Sequence, residues 1–80
     1  MQYNNKEVNS MELKDEIKAY IISSGWSITA LNEQLNKINN TEHTVQNLSS
    51  KIRKGSLKYS EIIQIAGVLG YEIKWELKKD

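Results

Sequence analysis

The chain has no cysteine, no proline and only four glycines, at positions 25, 55, 67 and 70. The missing cysteine excludes a disulfide framework, a thiol nucleophile and a zinc–thiolate site, and it fits a reducing, cytoplasmic setting. A proline-free chain with sparse glycine has few punctuation points, as a mostly helical protein does. No apolar run is long enough to span a bilayer or to serve as the core of a signal peptide. The single histidine, His43, stands beside Glu42 and builds no metal site of known spacing. There is no glycine-rich phosphate loop. Glu12, Asp15 and Glu16 crowd one helical face as solvated charges, not as an acid–base pair. No enzyme chemistry, cofactor or metal is expected, and with no second domain in view no small-molecule ligand either.

What is present is one domain's worth of chain, 80 residues with a formal net charge of +1. A chain of this size supports a single small core. The charge is unevenly spread. From His43 to Ser60 there are four cations, Lys51, Arg53, Lys54 and Lys58, and no acid, while the rest of the chain holds seven cations and all ten acids. A basic island on a slightly acidic body is a footprint for an anionic partner.

Periodicity divides the chain. Residues 1–10 are polar and carry no apolar repeat, so they read as a flexible arm, with Ser10 as a cap. A helix is expected from Met11 to Ser23, with Leu13, Ile17, Tyr20 and Ile21 on its apolar face and Gly25 as its stop. Trp26 is expected to pack across the start of a second helix capped by Ser27, in which Ile28, Leu31, Leu35 and Ile38 recur at spacings of three and four. Asn39, Asn40 and Thr41 break that helix, and Thr41 or Thr44 caps a third, which Gly55 ends. A fourth spans Tyr59 to Leu69, with Ile62, Ile65, Ala66 and Leu69 inward and Gly70 after it. Beyond Gly70 the period drops to two. Tyr71, Ile73, Trp75 and Leu77 alternate with Glu72, Lys74, Glu76 and Lys78, which predicts a half-buried strand. A lone strand leaves its backbone groups unpaired. Within the chain the only candidate partner is the poorly patterned N-terminal arm; the simplest partner is the same strand of a second copy, antiparallel across a two-fold axis, and the alternative is an irregular segment whose apolar side chains dock on the first helix.

The third helix, in the stretch VQNLSSKIRKG, is the most informative. With Val45, Leu48 and Ile52 inward, the outward arc holds Gln46, Asn47, Ser49, Ser50, Arg53 and Lys54. Glutamine and asparagine pair bidentately with adenine in the major groove and arginine with guanine, and serine serves any base edge or phosphate. Cations at the other end of the helix can neutralise phosphates. A helix that reads bases at one end and holds backbone at the other has the layout of a recognition helix.

GWSITALNEQL followed by VQNLSSKIRKGSLKYSEIIQIAGVLG resembles the lambda-repressor-like helix-turn-helix domain of the Cro/C1 (XRE) class, over roughly residues 11–71. The marks are the Gly25-Trp26-Ser27 step, Leu31 and Leu35, the QNLSxKIxxG pattern from Gln46 to Gly55, and the Ile65-Ala66-Gly67-Val68-Leu69-Gly70 ending. The resemblance implies a mainly α fold of four to five helices over 11–70, followed by a C-terminal strand and dimerisation tail over 71–80. It implies a small dimeric transcriptional regulator or mobile-element accessory factor that binds double-stranded DNA with the helix over about 44–54 in the major groove. By the resemblance, Gln46, Asn47, Ser49 and Ser50 read bases, and Ser27, Thr44, Lys51, Arg53, Lys54, Lys58 and Tyr59 hold the DNA backbone. Tyr59 has a second reading, packing over the third helix. Tyr71, Ile73, Trp75 and Leu77 form the dimer interface. The chain departs from the family in the connection between helices 2 and 3, which KINNTEH lengthens. It also departs at Asn32, where a small alanine is usual, and at Ile28, where a polar phosphate-contacting residue is common. The alternative function is a protein-interaction or adaptor module on the same fold. The acid-free run from His43 to Ser60 favours the DNA reading, because a carboxylate facing phosphates costs affinity.

Overall fold

A computed structural model describes residues 13–78, Leu13 by its backbone alone. The expected polar arm, the Ser10 cap, the helix start at Met11 and the side chain of Leu13 lie outside what is described. The described residues form four helices, α1 (Leu13–Ser24), α2 (Ile28–Asn39), α3 (Val45–Lys54) and α4 (Tyr59–Leu69). Helices α1 and α2 each pack against both α3 and α4. The core is Ile17 and Ile21 of α1, Leu31 of α2, Leu48 and Ile52 of α3, Leu57, and Ile65 and Leu69 of α4, with Trp26, Ile28, Leu35, Ile62 and Val68 packed around it. Those positions recur at helical spacing, so each helix buries one stripe. Two members of the expected stripes are exposed, Ile38 at 51% and Tyr20 at 45%. Tyr20 instead meets Tyr71 edge-on, with ring centroids 4.8 Å apart.

Each helix ends for a local reason. The Ser27 side chain accepts from Ala30 N at 3.0 Å and the Thr44 side chain from Asn47 N at 3.1 Å. Each hydroxyl thereby satisfies an otherwise orphaned N–H of a first turn. Gly55 adopts φ 66° after α3, and Ser56 N reaches back to Lys51 O at 3.0 Å. That left-handed turn needs a residue without a Cβ penalty.

The lengthened α2–α3 connection is an amide clasp. Helix α2 absorbs the first part of KINNTEH by running on to Asn39, and α3 begins at Val45. Asn40 closes α2 in the left-handed region at φ 55°, which asparagine tolerates. The Asn36 side chain then pairs with both backbone groups of His43, accepting from His43 N and donating to His43 O, each at 3.0 Å. It also accepts from the Thr41 hydroxyl at 2.8 Å. Asn32, itself buried, donates to the same His43 carbonyl at 2.9 Å. One turn on, Asn39 and Gln64 exchange two amide bonds at 2.9 Å, tying the end of α2 to α4. Replacing Asn32 by alanine removes a buried donor while Asn36 keeps the carbonyl partly satisfied. The expected loss is about 1–2 kcal/mol, read as a lower urea midpoint with an unchanged slope.

Residues 71–78 carry no regular secondary structure. Tyr71 N donates to Ala66 O at 2.7 Å, ending α4, and beyond it no backbone hydrogen bond forms among the described residues. The period-two pattern is therefore present without a strand among the described residues, and Tyr71 and Ile73 lie instead in the groove beside α1 and α4.

Candidate nucleic-acid interface

Helix α3 presents a polar outer side because its apolar stripe points inward. Leu48 and Ile52 are buried and Val45 is half-buried, which turns Gln46, Asn47, Arg53 and Lys54 out to solvent. Ser49 and Ser50 are both half-buried. Helical spacing separates their roles. Ser49 follows Val45 by one turn and sits at the flank of the core stripe, whereas Ser50 continues the row from Gln46 to Lys54. Asn47 and Lys51 form a second row, turned toward α4.

That second row borders a polar cleft of about 300 Å³ between α3, α4 and the amide clasp, lined among others by Asn36, Asn47, Lys51, Lys58, Glu61 and Gln64. Inside it Lys51 Nζ meets Glu61 Oε2 at 2.8 Å. Glu61 Oε1 accepts from Lys58 N at 2.8 Å and so caps the first turn of α4. One cation of the basic island thus already has a carboxylate partner, supplied by the residue immediately after the acid-free run. Arg53, Lys54 and Lys58 make no ion pair among the described residues and are exposed.

The hydrogen bond from Lys51, followed by that from the Lys58 backbone, holds the Glu61 carboxyl below its ordinary pKa. Because the folded carboxyl ionises more readily than the unfolded one, its stabilisation is complete above the unfolded value of roughly 4.3. It is lost as pH falls through the lowered folded value. The pair is about one-third exposed, so it contributes less than about 1 kcal/mol. Glu61→Gln is expected to flatten the acid limb of the stability profile by that small amount, measured by thermal unfolding from pH 3 to 7.

The remaining expected site residues divide by location. Ser27 and Thr44 are exposed at the N-termini of α2 and α3, and each hydroxyl that accepts a capping bond keeps its own proton to donate. Ile28 is half-buried against the core, so the first turn of α2 has no polar side chain at that position. Tyr59 sits away from the α3 row, in the groove between α1 and α4 with Tyr20 and Ile62, and its hydroxyl accepts from Trp75 Nε1 at 3.0 Å. It shares that groove with Tyr71 and Ile73. Among the described residues no group of three or more His, Asp or Glu side chains is placed to hold a metal ion, and no helix is long and apolar enough to cross a membrane. No protein-family model, curated protein or solved structure matches this chain.

Proposed function

We propose that this protein binds double-stranded DNA sequence-specifically, as a small two-fold dimeric regulator of transcription or accessory factor of a mobile element, working in the cytoplasm without cofactor or small-molecule ligand. Helix α3 lies in the major groove as the recognition helix of a lambda-repressor-like helix-turn-helix. Gln46 and Asn47 offer bidentate amides to adenine, and Ser50, with Ser49 at the flank, supplies shorter contacts. Arg53, Lys54 and Lys58 neutralise phosphates, and the hydroxyls of Ser27 and Thr44 meet the backbone at two helix N-termini. Lys51 joins them when a phosphate competes with Glu61.

The observation that carries this reading is the composition of the α3 outer row. Gln46, Ser50, Arg53 and Lys54 follow one another with no carboxylate among them, while Glu61 turns into the cleft and holds Lys51. A solvated face with no DNA partner has no reason to exclude acids. Two copies related by a two-fold axis would present two such rows to half-sites about one helical turn, ~34 Å, apart.

The test is selection from a randomised duplex pool at two salt concentrations, with wild type and a Gln46→Ala/Arg53→Ala variant. The expected result is a short palindromic motif that only wild type enriches. Binding without enrichment would reject base reading and leave a protein-interaction module. Glu61→Gln, which frees Lys51, is expected to steepen the dependence of log affinity on log salt by about one unit, since one more cation displaces a counterion.

A further inference from the structure

Among the described residues the segment after Gly70 is the most exposed apolar feature. Trp75 is 87% exposed and Leu77 is 96% exposed, with Tyr71 and Ile73 partly covered against α1 and α4. The backbone of 72–78 has no hydrogen-bond partner among the described residues. Both deficits, open apolar surface and unpaired backbone, are met by one kind of partner, another extended strand.

Charge identifies that strand. We infer that residues 72–78 pair antiparallel with the same residues of a second copy, in a register centred on Trp75. In that register Glu72 lies opposite the second copy's Lys78 and Lys74 opposite the second copy's Glu76, and symmetry repeats both pairs. Ile73 lies opposite the second copy's Leu77, and the two Trp75 side chains meet at the two-fold axis. Every acid faces a base and every apolar residue faces an apolar one. A slip of one residue sets charged against apolar positions, because side chains alternate faces. A slip of two sets Lys74 against Lys74 and Glu72 against Glu76, and like charges opposed across strands are destabilising. A parallel pairing in register sets each charge beside its own kind. A slip of four toward the N-terminus keeps Glu72 opposite Lys74 but leaves Glu76 opposite Gly70 and runs Leu77 against Leu69, which is committed to α4.

The helices complete the surface. An isolated two-stranded ribbon is marginal in water. Here its apolar face continues the groove of Ile17, Tyr20, Ile62 and Leu69, into which Tyr71 and Ile73 already reach. Leu77 of one copy, opposite Ile73 of the other, would close the far end of that groove. This pairing specifies the dimer of the proposed function but needs no DNA, so its test is independent of base reading.

The test is sedimentation equilibrium of the full chain without DNA, for wild type, Lys74→Glu, Glu76→Lys, an equal mixture of those two, and Trp75→Ala. Wild type is expected to associate reversibly as a dimer. Each charge variant opposes two like-charged pairs per dimer and should associate about tenfold more weakly. The mixture restores opposite charges at both positions and should associate as tightly as wild type. Trp75→Ala, at an exposed position, should lose association while keeping its thermal unfolding as a monomer. A monomeric wild type, charge variants that associate like wild type, a mixture no tighter than its components, or a Trp75→Ala variant that dimerises normally would each overturn the inference. Absence of DNA binding with this association pattern intact would reject the base-reading proposal alone.

Discussion

Leu31→Ala is expected to lower the unfolding free energy by about 3 kcal/mol, in a domain whose total is on the order of 5–10 kcal/mol. Leu31 is 0% exposed and belongs to the helix that packs on both α3 and α4. Truncation removes buried methyl groups and leaves a cavity that three helices cannot close without moving. In a domain of this size each kcal/mol shifts the melting temperature by about 4–8 °C, so the midpoint should fall by roughly 12–24 °C. Ile22→Ala is the control. It deletes a similar aliphatic side chain on α1, but at a site 78% exposed, and its effect should stay within about 0.5 kcal/mol. Equal losses at the two sites, measured by thermal and urea unfolding, would contradict a core centred on Leu31.

The second large effect concerns DNA. Gln46→Ala/Arg53→Ala is expected to reduce affinity for the selected duplex on the order of a hundredfold, in two separable parts. In the proposed reading Gln46 contacts a base, so its loss should cost about 1–3 kcal/mol against the preferred sequence and little against others. In the same reading Arg53 contacts a phosphate, so its loss should weaken binding to every duplex and reduce the salt slope by about one unit. Both side chains are exposed on α3 and neither belongs to the core, so the melting temperature should not move. If both single variants weaken all duplexes equally, Gln46 is a backbone ligand and base reading passes to Asn47 and Ser50. Competition titrations with matched and scrambled duplexes at several salt concentrations distinguish the two.

Much of the helical layout was legible because its signals are local. Ser27, Gly25, Gly55 and Gly70 mark helix ends by side-chain chemistry within one turn, and Leu31, Leu48, Ile52, Ile65 and Leu69 repeat at helical spacing. The unread features depend on partners distant in sequence. Asn36 and Asn39 resemble solvent-facing polar residues until His43 and Gln64 come alongside. Leu57 is buried, yet it stands alone between Ser56 and Lys58 with no period to announce it. The acid-free run invited Lys51 to be read as a phosphate ligand, while Glu61, one residue beyond that run, returns across the α3–α4 turn to pair with it. Ile38 fits the apolar repeat of α2 but lies one turn past Leu35, near the helix end, where the stripe leaves the core.

The positions of the two tryptophans have a spectroscopic consequence. Trp26 is half-buried against the core at the junction of α1 and α2, and Trp75 stands almost wholly in water with its ring nitrogen bonded to Tyr59. One indole therefore reports folding and the other reports what happens to the tail. Emission from Trp75 should shift to the blue on self-association at constant helicity, and emission from Trp26 should shift to the red only when the helices melt. With each tryptophan replaced in turn by phenylalanine, a dilution series and a denaturant series followed by intrinsic fluorescence separate assembly from unfolding without any attached label.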